Sequence, residues 1–424
     1  MSIYALVIGA WCLTQVAIGI WIARRLRGSA DFFVAGRDLS SSALFATFLA
    51  ANIGAGSTVG ATAFAYTHGP AAWWWNGSAG IGTLILAFWV GPRLWRTATQ
   101  HNLFTVGDYL AFRYNDGVRG LTALLIWLGS FFILSGQLTG AAVVLTVVFG
   151  WPAWLGGLVA IAIVTIYFSA GGLMGSSWVN RVQIVVIVLG FLLAGVMAVS
   201  AAGGLDAIRA ANPERMDFWA ASGWPFIFLL GPSFFLSPGL VQRAFAARDI
   251  RHLTRGVAIS GLALMAFAIL PVLLGLAART HLPPLASAQS ALPEMLLNGV
   301  PPWVGAVALA AVFAAEISSA DAVLFMLSTS GARDLYTRFI NRDATDAQQL
   351  RMVRGIAVLA AIIGYVLIFV VGTVIGALTI FYSVMTVSLL VPILATLVME
   401  RPSPAAASGA GNTILGNGGT GIRI

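Results

Sequence analysis

Charge is scarce in this chain: 9% of its 424 residues are charged, against 59% hydrophobic. Soluble domains carry about a quarter charged residues, so a water-soluble globular fold is excluded and a polytopic helical membrane protein is implied. Cys12 is the single cysteine, which excludes an intramolecular disulfide and a thiolate metal cluster. The four histidines, His68, His101, His252 and His281, are scattered at segment ends and loops and form no metal-binding pair. With no histidine beside a nucleophile inside an apolar segment, a membrane enzyme is disfavoured. The net charge of +8 comes from arginines in short loops and forms no dense basic tract, so it reads as membrane topology and not as nucleic-acid binding.

What the chain does have is a series of apolar stretches. Ile3–Ala23 comes first and is followed by Arg24, Arg25 and Arg27; a cleaved secretory signal has its charges ahead of the apolar run, so this is read as an anchor helix. Further spans are predicted over 42–66, 71–90, 121–148, 154–170, 182–201, 224–242, 257–278, 302–330, 353–371 and 375–399, about eleven in all. If the first loop is cytoplasmic, alternate loops and the tail collect 20 arginines and the external loops keep only Arg209, Arg215 and Arg279. That asymmetry predicts an outside N-terminus and a cytoplasmic C-terminus in the cell inner (plasma) membrane. Trp73, Trp74 and Trp75 fit an aromatic anchor at the external interface or the wall of a vestibule.

Residues 1–41 then hold the anchor helix and first cytoplasmic loop, 42–201 five helices, 202–223 an external loop and 224–399 five more. Residues 400–424 form a Pro-, Gly-, Ala- and Asn-rich tail without an apolar span, expected to be disordered. An odd number of helices per set forces the second set to run inverted, and inverted five-helix repeats are a transporter architecture whose first helices are broken near the midpoint. Asn52-Ile53-Gly54-Ala55-Gly56-Ser57 interrupts one such helix; Gly231-Pro232-Ser233 and then Ser237-Pro238-Gly239 interrupt the other. Unwound backbone at membrane depth belongs where it lines a cavity, and there its carbonyls and amides bind ions and polar solutes.

The apolar stretch Pro302–Ser330 carries Glu316, Ser318, Ser319 and Asp321 near its middle, where ionisable groups are costly and usually functional. At about 100° per residue, Ala315, Ser318 and Ser319 share one face. Neutral oxygens converging in a dry cavity suit a small hard cation. Serines in such a helix also simply bond a neighbouring helix or the carbonyl four residues back.

Several separated motifs occur in order: Ser29-Ala30-Asp31-Phe32-Phe33-Val34-Ala35-Gly36-Arg37, Ala50-Ala51-Asn52-Ile53, Gly171-Gly172-Leu173, Ser237-Pro238-Gly239-Leu240-Val241-Gln242-Arg243, and Ala314 to Tyr336 ending in Ala332-Arg333-Asp334-Leu335-Tyr336. Together they resemble the sodium:solute symporter family, whose members carry proline, sugars, pantothenate, sialic acid and monocarboxylates with sodium. The resemblance implies an all-α polytopic membrane protein with a LeuT-type 5+5 inverted-repeat core and one extra N-terminal helix. It implies sodium symport by alternating access, with Na+ held by the carbonyls of Ala50, Ile53 and Ala315 and the hydroxyls of Ser318 and Ser319. Five neutral oxygens would bind the ion loosely, as release requires. The chain also departs from the family. An aspartate that many relatives carry after the Gly-Gly turn is matched by Asn180, which leaves a second cation site without its carboxylate. Glu316 stands where a small or apolar residue is common and is read as a protonated, hydrogen-bonded structural glutamate. Asp321 resembles an aspartate of many bacterial members and is read as a helix-pairing group. Many relatives also have one or two helices after the core.

The solute is expected beside the two helix breaks, near Asn52, Gly56, Ser57, Asn76, Ser233, Phe234, Phe235 and Tyr382. A carboxylate is expected to sit on free amides at a half-helix N-terminus without an arginine in the cavity. Few side chains there can meet several sugar hydroxyls, which favours a monocarboxylate or an amino acid. Neither a cofactor beyond Na+ as coupling ion nor an obligatory protein partner is implied; the partners are the solute, Na+ and the lipid bilayer. The rival readings are a proton-coupled transporter of the same fold using Glu316 or Asp321, a transporter-like solute sensor, and an inactive truncated relative.

Overall fold

A helix that is apolar on every side needs neighbours on every side. In the computed structural model, which describes residues 3–23, 35–371 and 373–399, Pro302–Ser330 has them: every residue from Ala308 to Thr329 is buried. The rest of the chain is arranged around this helix. The order begins with α1 (Ile3–Ala23), α2 (Ser41–Asn52), α3 (Ala61–His68), α4 (Trp73–Ile85), α5 (Gly91–Gln100), α6 (Val106–Arg113), α7 (Asp116–Phe149) and α8 (Ala153–Ala201). It continues with α9 (Leu205–Ala211), α10 (Phe226–Leu236), α11 (Pro238–Phe245), α12 (Ile250–Phe267), α13 (Ile269–His281), α14 (Ala291–Asn298), α15 (Pro302–Ser330), α16 (Asp346–Leu367) and α17 (Val374–Val398). The central helix α15 packs against α8, α7, α1 and α16, while α17 lies along α7 and α10 along α4.

Among the described residues, six helices are long and apolar enough to cross a bilayer: Asp116–Phe149, Ser177–Ala201, Ile250–His281, Pro302–Thr337, Asp346–Leu367 and Val374–Val398. A seventh is the bent pair Ser41–Asn52 and Gly56–Gln100, whose axes differ by 63°. The protein is thus all-helical and multi-pass. Other expected spans are shorter as continuous helices because they are interrupted or lie partly outside the described residues. The tail 400–424 and most of the Ser29-to-Arg37 motif lie outside them as well.

Three expectations are corrected. The turn expected at Gly171-Gly172-Leu173 is helical backbone, so the two spans read over 154–170 and 182–201 form one helical run of 49 residues. Glycine costs a helix about 1 kcal/mol but does not forbid its hydrogen bonds. On either side of the glycines the run is apolar, over Ala153–Ile166 and Ser177–Ala201, and the second of these is long enough to cross a bilayer. Gly231-Pro232-Ser233 also stays helical, inside α10. Pro232 leaves Phe228 O without its helical donor, and the turn beside it is braced by side chains: Leu229 O accepts from Ser233 Oγ at 2.7 Å and from Thr386 Oγ1 at 3.4 Å. Finally, Trp74 and Trp75 are buried and do not stand free as an interfacial belt. Trp75 meets Phe226 edge-on at 4.9 Å and Tyr382 at 6.2 Å, and the Trp74 Nε1 donates to Phe218 O at 3.0 Å.

Candidate functional site

The first expected break is present, and its backbone chemistry follows from the sequence. Helix α2 ends at Asn52 because Ile53 turns extended (φ −96°, ψ 100°). The chain restarts when Ser57 N and Thr58 N both donate to Gly54 O, at 2.9 and 3.0 Å, and Gly60 N to Ala55 O at 2.8 Å, forming a π-turn over Gly56–Gly60. The last carbonyls of α2 therefore lack helical donors. They face α15. Ser318 Oγ lies 2.9 Å from both Ala50 O and Ala315 O. Ser319 Oγ lies 3.1 Å from Ile53 O, 3.2 Å from Ala51 O and 3.5 Å from Ala50 O.

Proton counting shows what this cluster suits. Two hydroxyls bring two protons to four carbonyls, so lone pairs are in surplus in a buried, low-dielectric place. The oxygens of a hard cation's shell, about 2.3–2.6 Å from the ion, lie roughly 3.3–3.7 Å apart at right angles. The observed separations reach the lower edge of that range. All these groups are neutral, and all but the half-buried Ala51 are buried. The chemistry fits a small monovalent cation and offers nothing to a transition metal.

Neighbouring side chains clamp the break. Gln137 Oε1, from α7, accepts from Ala55 N at 2.7 Å. Thr58 Oγ1 lies 2.8 Å from Glu316 Oε1 and 2.9 Å from Gly54 O, so the buried glutamate ties α15 to the restarted helix. Packing at Gly54 is so close that a methyl group there would overlap Ser319 Oγ and Gln137 Oε1. Asn76 Nδ2 donates to Ser57 O at 3.0 Å and Ser57 Oγ to Asn52 O at 2.7 Å.

The second break falls at Ser237 (φ −51°, ψ 119°), the residue before Pro238, where the proline ring disfavours the helical region. Between the two breaks lies a cavity of about 60 Å³, lined by Ala51, Asn52, Ile133, Ser233, Phe234, Ser237, Gly239, Arg243, Val323, Tyr382 and their neighbours. A smaller one of about 30 Å³ adjoins it, lined by Ala51, Asn52, Gly54, Gly56, Ser57, Gln137, Ser319 and Tyr382. Ser233 Oγ is 2.8 Å from Thr386 Oγ1 and 3.3 Å from Tyr382 O.

The structure thus gathers Ala50, Ile53, Ala315, Ser318 and Ser319 into one cluster and puts Asn52, Gly56, Ser57, Ser233, Phe234 and Tyr382 on the cavity walls. Asn76 and Phe235 are not wall residues: Asn76 braces the π-turn from behind, and Phe235 is buried in the core. Asp321 is fully buried. Asn180 donates to Thr47 Oγ1 at 3.2 Å. The expectation of a cavity without an arginine is overturned. Arg243 is on the wall and 1% exposed, its Nε 3.3 Å from Thr47 Oγ1 and its Nη1 3.0 Å from Gly239 O. Sequence reasoning placed it at the end of a span; a cation one turn past a helix break was the available signal. It also missed Gln137 and Thr58, of which Gln137 was detectable as a lone amide inside a 34-residue apolar helix.

Comparison with known proteins settles the family. The sequence profile of the sodium:solute symporter family matches residues 32–410. The chain belongs to the sodium:solute symporter family. Among family relatives, a sodium/glucose cotransporter of Vibrio parahaemolyticus is 27% identical over 394 residues, covering 82% of this chain and 71% of that protein. A sodium/proline symporter of Salmonella typhimurium is 25% identical over 386 residues, covering 83% and 74%. In fold, the chain is similar to a Na+-coupled sialic acid symporter solved in a substrate-bound outward-open state, with TM-score 0.83 and 18% identity over 96% of this chain and 89% of that one. These relatives are transporters; the chain is a multi-pass membrane protein of a symporter family and not an enzyme.

Proposed function

We propose that this symporter-family protein couples sodium entry to uptake of a small polar organic solute, a monocarboxylate or an amino acid, by alternating access. The observation that carries the reading is the placement of two α15 hydroxyls, Ser318 and Ser319, against the carbonyls of Ala50, Ala51 and Ile53 at the end of α2. Sodium would take the carbonyls of Ala50, Ile53 and Ala315 and the two hydroxyls.

Coupling follows from shared backbone. Ala51 lines both small cavities and its carbonyl faces Ser319. An ion that draws the break onto α15 therefore also fixes one wall of the solute site, so each ligand raises the other's affinity by the same factor. Arg243 and the amides at the start of α11 support an anionic or zwitterionic solute over a sugar. The full architecture in this reading is an anchor helix in 1–41, a first repeat in 42–201 whose last two spans share one helical run, and its inverted five-helix counterpart in 224–399, with 202–223 outside and 400–424 in the cytoplasm. Glu316, held by Thr58, joins helices and carries no coupled proton.

The test is uptake in proteoliposomes under an imposed sodium gradient or an imposed pH gradient. Sodium should drive accumulation, and Glu316→Gln should retain at least half of it. Accumulation driven by pH alone and lost in Glu316→Gln would instead support the proton-coupled reading.

A further inference from the structure

A larger cavity, about 260 Å³, opens away from the solute site. Its lining includes Arg93, Arg96 and Thr97 of α5, Tyr109 and Arg113 of α6, and Thr396 near the end of α17. Arg93, Arg96 and Thr97 lie at i, i+3 and i+4, on one helix face, and both arginines are exposed. Arg113 Nη2 donates to Thr396 O at 2.9 Å and Met399 O at 2.7 Å, neutralising the carbonyl end of α17 that would otherwise repel an anion. No carboxylate lines the cavity among the described residues. Asp108, beside Tyr109 in sequence, is turned elsewhere, onto Arg119 and Arg333 at 2.9 Å each and onto the amides of Phe104 and Thr105.

Exposed apolar residues neighbour the lining residues in the chain. Phe88, which precedes α5, is 65% exposed and Val398, at the end of α17, 78% exposed; Trp89 and Phe112 are exposed as well. Arg93 Nη1 donates to Trp89 O at 3.0 Å, and its guanidinium lies 5.9 Å from the Trp89 ring. A topology signal accounts for arginines at the end of a span, but it does not call for a cavity between helices. Two guanidiniums facing a recess, with exposed aromatics beside them, match an amphiphile with an anionic head.

We propose that this cavity binds the phosphodiester headgroup of an anionic phospholipid, with Arg93 and Arg96 on the phosphate and the acyl chains along Phe88 and Trp89. The test is thermal unfolding of the full-length protein in a non-ionic detergent, titrated with dioctanoyl phosphatidylglycerol, dioctanoyl phosphatidylcholine or glycerol 3-phosphate. Phosphatidylglycerol should raise the unfolding temperature saturably, well beyond phosphatidylcholine of the same chain length. The Arg93→Gln/Arg96→Gln variant should unfold at the wild-type temperature without lipid and bind phosphatidylglycerol about thirty-fold more weakly, the equivalent of about 1 kcal/mol per arginine. Arg251→Gln, at an exposed arginine outside the cavity, should change binding less than about twofold. An unchanged titration in the double variant, or an equal loss in Arg251→Gln, would overturn the site. An equal shift with glycerol 3-phosphate would overturn the lipid in favour of a free phosphate ester.

Discussion

Gly54 is where the first helix break touches the buried helix, and Gly54→Ala tests that contact. The added carbon would overlap three atoms: the Oγ and Cβ of Ser319 and the Oε1 of Gln137. Two of them are a proposed cation ligand and its stem; the third accepts the buried Ala55 N–H. Overpacking of this kind costs about 1–3 kcal/mol, and a buried amide left without its acceptor another ~1–3 kcal/mol. One backward shift of the break relieves both, so the terms do not add fully, and a loss of about 2–4 kcal/mol is expected. The second effect is on the ion. A ligand present at a hundred times its dissociation constant stabilises the folded state by about 2.7 kcal/mol. That increment should vanish when Ser319 is pushed from Ile53. The assay is thermal unfolding in sodium chloride against choline chloride at equal ionic strength. Gly355→Ala on α16, where a methyl group meets nothing within 4 Å, should be neutral or stabilising by up to about 1 kcal/mol and keep the sodium increment. A Gly54→Ala protein with wild-type stability and the full increment would refute the idea that this contact builds the site.

Two further outcomes follow from named groups. Burial pushes the Asp108 carboxyl up, but the guanidiniums of Arg333 and Arg119 and the Phe104 amide overcome this and hold it below its usual range. An acid with a depressed folded value contributes fully above its unfolded value of about 3.9 and loses that contribution as pH falls through the lower folded value. The unfolding temperature should therefore show no Asp108-linked change between about pH 5 and 8, with a decline setting in below about pH 4; Asp108→Asn should flatten that decline and cost about 3 kcal/mol by leaving buried arginine charge short of a partner. In a thermal-shift screen of solutes with sodium, carboxylates should stabilise the wild type more than neutral sugars do. Arg243→Gln should lose the carboxylate shifts by tenfold or more in apparent affinity; retention of those shifts would remove Arg243 from solute recognition.

The parts of this protein legible in its sequence were those set by local chemistry. Glycines and polar groups in an apolar run marked the interruption at Asn52 to Ser57, and helical spacing alone put Ala315, Ser318 and Ser319 on one face. Pro238 likewise marked the second break, one residue after Ser237 leaves the helix. What failed depended on neighbours. Pro232 looked like a breaker, but α10 runs through it, and the Leu229 carbonyl in the same turn takes the Ser233 hydroxyl from its own helix and the Thr386 hydroxyl from α17. Asn76 looked like a solute ligand because it is polar at membrane depth, yet its amide donates to the Ser57 carbonyl of the π-turn. Thr58 stayed hidden because its importance lies in which helix faces it, and helical periodicity carries no information about that. The Gly171-Gly172 pair was read as a turn although glycine merely permits one.

The most direct measurement of the central claim uses the Ser318→Ala/Ser319→Ala protein. Both substitutions remove one oxygen from a buried small side chain, so the variant should fold and run as the wild type does in size-exclusion chromatography. The account predicts that sodium, added in place of choline, no longer raises its unfolding temperature and no longer drives uptake. A double variant that keeps the wild-type response to sodium in both assays would contradict it.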